Sequence, residues 1–223
     1  RSQRLAEQRY KRYKPLIPDG ARVLDFGSGS GEFLNVCKNA GCDVLGIEPG
    51  MSYSNFARSE YSVDVISKSW TDVDLGDRKF DFISSFHVFE HLRDPKAALE
   101  FLLTHLYPDG AIVLEVPNML PTQQKLFERL HFAHVHGFTP MSMTSLGASV
   151  GLIEDARVPS KSCDFAFRRA KKGEVLPPVE NPAAASVLAE TYDTASPVRH
   201  VLGFGWVIDA YHRVARDVRE MAR

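Results

Sequence analysis

Residues 23–34 read VLDFGSGSGEFL and residues 44–50 read VLGIEPG, and together they hold the residue types of a cofactor pocket. Asp25 lies near the end of an apolar run, Gly27, Gly29 and Gly31 alternate after it, and an apolar-periodic segment follows. That order predicts a strand, a tight turn and a helix. Glycine lets the backbone turn sharply and approach a ligand closely, because no Cβ intervenes. Glu48 closes the next apolar run, about 20 residues beyond the turn, where a carboxylate at a strand tip accepts hydrogen bonds from a ribose diol. Asp25 narrows the ligand further, since a carboxylate just before the turn repels a pyrophosphate and attracts an ammonium group. The dinucleotide fingerprint Gly-x-Gly-x-x-Gly is also missed, with Glu32 in its last position and glycine one residue early at Gly31. Both points disfavour an NAD-dependent oxidoreductase.

S-adenosylmethionine brings an ammonium group and a ribose and has no phosphate. The two segments resemble the first motif and the following acidic position of class I S-adenosylmethionine-dependent methyltransferases. Three further stretches extend the resemblance to the small-molecule branch of that family. FDFISSFHVFEHLRDP, residues 80–95, matches the segment after the fourth strand at Glu90, His91, Leu92, Asp94 and Pro95. AIVLEVPN, residues 111–118, resembles a fifth strand that ends in a Val-Pro-Asn-like turn, and Pro117 marks that end because it cannot continue a central ladder. HFAHVHGFTPMSMTSLGASVGL, residues 131–152, resembles the stretch in which a His precedes an aromatic residue, a Thr or Ser and then a helix. His134 aligns with the family's His, Phe138 and Thr139 follow, and Leu152 replaces the aromatic after Gly151.

The resemblance implies S-adenosylmethionine as cofactor. Gly27, Gly29 and Gly31 would lie under its methionine moiety, Asp25 near its ammonium and Glu48 on its ribose. Ser69 and Trp70 stand where the family often has an acidic residue for the adenine, with Asp72 as the alternative. Phe86 and His91 are cofactor-side candidates, and Glu115 and Asn118 are candidates for the substrate rim or for capping their turn. If the acceptor is a hydroxyl, a base must take its proton, and imidazole is the side chain that does so near neutral pH. His134 is the first choice by its match, followed by His136 and His87, against the alternative that these histidines tie down a loop. His-x-x-His-x-His lacks the four-ligand spacing of a structural zinc site and has no nearby Cys, so no metal is expected. The segment after the fourth strand carries no Asn-Pro-Pro-Tyr-like loop, which removes the main support for base flipping.

These residues need a sheet to position them. Strands are predicted at 22–26, 43–47, 63–67, 80–86, 111–116, 152–158 and 164–169, with helices near 31–40, 52–60, 95–106 and 139–150 and a covering helix in 2–14. Tyr107-Pro108-Asp109-Gly110 predicts a turn before the fifth strand. Such alternation gives an α/β, doubly wound sheet whose ligands sit at the carboxyl ends of its strands. With the resemblance, the expectation is a Rossmann-like methyltransferase fold: a seven-stranded, mostly parallel sheet with helices on both faces, over residues 1–170. Residues 171–223 form an extension, a Pro-containing loop and an amphipathic helix through Val207, Tyr211, Val214, Val218 and Met221, which shapes the pocket mouth or pairs two subunits as a homodimer.

The 223 residues suit one α/β domain with an appendage. Net charge is −1 and no long basic run occurs, which argues against nucleic-acid partners. No apolar stretch approaches the length of a membrane span. Cys37, Cys42 and Cys163 lack Cys-x-x-Cys spacing, so reduced thiols in the cytoplasm are expected. The function expected is methyl transfer to oxygen or carbon of a polar small molecule, with a sugar or nucleotide-sugar favoured. A phenol or quinone-precursor O-methyltransferase and a non-catalytic cofactor-binding regulatory or assembly subunit are the alternatives.

Overall fold

The computed structural model describes residues 2–120 and 134–179. Seven strands form one sheet: β1 (Arg22–Phe26), β2 (Asp43–Ile47), β3 (Asp64–Ile66), β4 (Phe80–Phe86), β5 (Leu106–Glu115), β6 (Leu152–Glu154) and β7 (Asp164–Arg169). Their spatial order is β3-β2-β1-β4-β5-β7-β6, and β7 alone runs antiparallel to its neighbours. The chain first builds outward from β1 to β3 and then crosses back to β4 on the other side. The carboxyl ends of β1 and β4 therefore flank the point where strand order reverses, the usual ligand crevice of such sheets.

Among the described residues, five α-helices cover the sheet: α1 (Ser2–Tyr13), α2 (Glu32–Asn39), α3 (Met51–Tyr61), α4 (Pro95–Thr104) and α5 (Pro140–Ser149). Alternate strand residues face opposite ways, and the core splits accordingly. Leu24, Ile83, Ile112 and Phe165 pack with Leu99 and Leu102 of α4 and Met143 of α5. Val23, Phe82, Val113 and Ala166 pack with Tyr13 of α1 and Phe33 of α2. The helices begin where the sequence supplies caps. Asp94 accepts from the amide of Ala97 at 2.9 Å with Pro95 next to it, and Thr139 forms a capping box with Ser142.

Two expectations need correction. The strand-like pairing of β5 starts at Leu106, so the Tyr107-Pro108-Asp109-Gly110 segment does not precede the strand. Phe80 pairs Leu106 whereas Phe82 pairs Ala111, so the surplus residues bulge out of the ladder between the two registers. β6 is shorter than 152–158, because the buried Asp155 carboxylate accepts from the Arg157 amide and guanidinium and turns the chain after Glu154. Residues 171–179 form no helix or strand, as expected of a loop, and the expected helix and dimer surface of the extension lie outside the described residues.

Helix α1 is fastened to the carboxyl end of β5. Glu115 accepts from Arg9 Nε at 2.8 Å and Nη2 at 2.7 Å, and from the Tyr13 hydroxyl at 2.7 Å. Arg12 pairs with Asp164 at 2.6 Å, and Asp164 is the partner of Glu115 in the β5–β7 ladder.

Candidate active site

The turn after β1 is held by the next strand: the amides of Gly27 and Ser28 both donate to the carbonyl of Ile47, at 2.8 and 3.1 Å. Its three glycines all have positive φ but meet different surroundings. A Cβ on Gly27 would stand 2.3 Å from Val88 Cγ2, and one on Gly31 would stand 2.7 Å from the Ala57 Cβ of α3. Both positions therefore serve close packing. A Cβ on Gly29 would meet nothing within 4 Å, so this glycine faces open space. Glu48, just past β2, is aimed at the same turn. Its Oε2 accepts from the Gly29 amide at 3.0 Å and its Oε1 from the Gly50 amide at 2.7 Å, which leaves lone pairs for hydroxyl donors.

A cleft of about 620 Å³ opens beside this turn, walled by Gly27, Ile47, Ser69, Trp70, Val88 and His91 among others. Its size is that of a small-molecule or cofactor site. Ser69, Trp70 and His91, expected on the cofactor, are thus brought to one cavity, and Thr71 joins them. Trp70 is braced from behind by Phe101, with ring centroids 5.9 Å apart. Asp72 is not in that wall.

Asp25 lies behind the turn rather than in its mouth. It is 2% exposed and its Oδ1 accepts from the Ser84 hydroxyl of β4 at 2.7 Å. Burial pushes its carboxyl up to about 7, with the Ser84 bond and the charge of Arg9 pulling the other way and Glu48 and Glu115 adding to the rise. Phe86 is outside the cleft wall. It packs edge-on to Phe33 at 5.0 Å, stacks on Tyr13, and carries the Arg9 guanidinium 4.1 Å above its ring, which makes it part of the seat of α1.

The histidines gather around a residue the sequence had shown only as a motif match. Glu90 is 1% exposed, and its Oε1 lies 3.5 Å from His87 Nδ1 and 3.8 Å from His91 Nε2. Its backbone carbonyl accepts from the amides of Val135 and His136, at 2.8 and 3.1 Å, so the His-rich loop is pinned to the Glu-His turn. The pin sets His134 edge-on to His91, with ring centroids 4.9 Å apart. His87 follows β4 with φ of +58°, a conformation in which a non-glycine residue is strained. His136 tilts against Phe138, and its Nε2 is buried without a hydrogen-bond partner. Glu115 is taken by Arg9 and Tyr13. Asn118 accepts from the Leu120 amide and donates to Ser162. Asn118 thus orders its own turn, whereas Glu115 ties α1 to the end of β5. Ser84, Val88 and Arg9 carried no sequence signal of their roles, since a strand Ser, an aliphatic residue after a strand and one helix Arg among several gain meaning only from their neighbours.

A family model described as a methyltransferase domain matches residues 1–152. The chain belongs to that family. The C-methyltransferase NovU of Streptomyces niveus is 26% identical over 223 residues, covering 93% of this chain and 50% of its own length. A ubiquinone biosynthesis O-methyltransferase of Cereibacter sphaeroides is 30% identical over 112 residues, covering 48% of this chain and 45% of its own length. The chain spans about half the length of these curated relatives. Among solved structures, a TehB-like SAM-dependent methyltransferase from Corynebacterium glutamicum superposes with a TM-score of 0.55 at 17% identity, covering 76% of this chain and 98% of its own. That likeness shows the shared fold. The cofactor of the family is S-adenosylmethionine, and the open face at Gly29, the spare lone pairs of Glu48 and the size of the cleft fit it. Among the described residues, no helix is long and apolar enough to cross a membrane, and all three cysteines are buried and unpaired.

Proposed function

We propose that the chain transfers a methyl group from S-adenosylmethionine to oxygen or carbon of a polar small molecule, a saccharide or nucleotide-sugar above others. The observation that carries this reading is His87: it follows the last residue of β4 and precedes Val88 of the cleft wall, strained and half-exposed, with the buried Glu90 carboxylate behind its Nδ1. An imidazole backed by a carboxylate is the arrangement of an oriented base. In the reaction the bond between sulfur and methyl breaks as the bond from the acceptor's oxygen or carbon to the methyl forms. The sulfonium charge is lost, the electron pair stays on sulfur, and the acceptor's proton passes to the base. His87 is favoured over His134 and His136 because their loop is anchored through Glu90, which supports a positioning role for it.

Cofactor contacts in this reading are Gly29 under the methionine moiety, Glu48 on the ribose, and Trp70 and Ser69 along the adenine, while the buried Asp25 carboxylate behind the turn attracts the ammonium by its charge. The match to a protein named a C-methyltransferase runs along most of this chain, whereas that to the O-methyltransferase covers under half, which supports a carbon acceptor over a phenolic oxygen. The near-neutral net charge offers no track for a polyanion. Labelled methyl release, measured across nucleotide-sugars, phenols, quinone precursors and RNA, tests the reading. Turnover with a saccharide acceptor is expected. Preferential turnover of a phenol or RNA contradicts the acceptor class, and cofactor binding with no turnover on any acceptor points to the non-catalytic alternative.

A further inference from the structure

The spacing of the histidines within residues 131–136 argues against a metal, but the fold supplies ligands from a second segment. The Glu90 carboxylate, His91 and His134 each offer a ligand atom, and those atoms all lie within 4.8 Å of one another. A common ion could therefore reach all three. The loop that carries His134 is fixed to the turn that carries Glu90 and His91 by the two amide bonds to the Glu90 carbonyl, so the grouping is built into the backbone. Glu90 supplies an independent sign. Its Oε2 is buried and has no hydrogen-bond partner. A buried carboxylate oxygen left unpaired is costly, and a cation satisfies it.

We propose that Glu90, His91 and His134 form a binding site for a divalent transition-metal ion, zinc or a near neighbour, completed by an oxygen donor such as water. Two imidazoles and one carboxylate suit zinc, iron, cobalt or nickel, whereas magnesium and calcium prefer sets of oxygen ligands. Three protein ligands leave a coordination position open, as in catalytic rather than structural zinc sites. His91 also belongs to the cleft wall, so the ion stands at the edge of the cofactor cavity, within reach of a bound small molecule. The site stands on the side-chain grouping alone and does not depend on methyl transfer.

Titration of the metal-stripped full chain with Zn²⁺ and with Co²⁺, followed by calorimetry and by the visible spectrum of the cobalt form, tests the site. One ion per chain is expected at this site, with no comparable uptake of Mg²⁺. Glu90→Gln, His91→Ala and His134→Ala are each expected to weaken binding by at least about tenfold. The Tm and the far-UV circular dichroism of each variant, measured in parallel, report whether it is folded. Should Glu90→Gln fail that control, the two His variants, whose side chains are partly exposed, carry the same test. Absence of stoichiometric binding, or binding that none of the three substitutions weakens, overturns the site.

Discussion

At the level of single residues, Asp25 sets stability against binding. Its carboxyl is raised to about 7 chiefly by burial, so between about pH 4 and 7 the folded chain holds a proton that the unfolded chain has released. Stability is therefore greatest at the low end of that window and falls as pH rises through it. At about 1.4 kcal/mol per unit, the cost above pH 7 is about 4 kcal/mol as an upper bound. Asp25→Asn keeps an acceptor for Ser84 and removes the buried charge. It is expected to raise the Tm at pH 8, leave it nearly unchanged at pH 4.5, and weaken S-adenosylhomocysteine binding. A Tm lowered equally at both pH values would show that the charge is not what burial opposes. Cofactor binding to the wild type near pH 7 should also release a proton as the ammonium draws Asp25 into its ionised form, seen as calorimetric enthalpies that differ between buffers. His87→Ala is expected to lower turnover by about 10²–10⁴-fold with S-adenosylhomocysteine affinity retained, measured by single-turnover kinetics and titration.

At the level of elements, the glycine turn and the first helix divide the work of holding the site. Gly27→Ala drives a Cβ into Val88 and Gly31→Ala drives one into Ala57 of α3, each at positive φ, so each should cost about 2 kcal/mol or more in denaturant melts. Gly29→Ala meets no atom and carries the strain of positive φ alone, about 1 kcal/mol. It is expected to keep most of the stability and lose most of the cofactor affinity. An equal stability loss at all three positions would contradict the division. Helix α1 depends on Glu115, which binds Arg9 and Tyr13 where both are largely buried. Glu115→Ala strands that guanidinium and hydroxyl and is expected to cost about 2–4 kcal/mol. Hydrogen exchange should speed up in α1 and stay unchanged in α4, whose packing lies on the other face.

For the molecule as a whole, what the sequence made legible was whatever rests on local periodicity. The bounds of β1, β2, β4 and β7 agree with the apolar runs of the sequence. β5 was misjudged because Pro108 and Gly110 look like a turn, while the register that absorbs them is set by β4 across the sheet. Ser69, Trp70 and His91 share one cleft wall, and Glu48 reaches the glycine turn from the next strand, because a strand tip or a motif fixes the place of each. The role of Glu90 as the hub of the histidines was not legible, because it arises where residues about 45 apart in the chain are joined by backbone bonds to its carbonyl. Phe86 and Glu115 are engaged by α1, a partner that spacing within their own strands does not reveal. We propose that the cleft at the reversal of strand order holds S-adenosylmethionine, with Gly29 and Glu48 beside it as contacts. Calorimetric titration of S-adenosylhomocysteine and of NAD into the wild type and Glu48→Ala, with the Tm of each recorded, tests it most directly. Tight binding of S-adenosylhomocysteine is expected, with a loss of about 1.5–3 kcal/mol in the folded Glu48→Ala variant and negligible NAD binding. Unchanged affinity in that variant, or tighter binding of NAD, would contradict it.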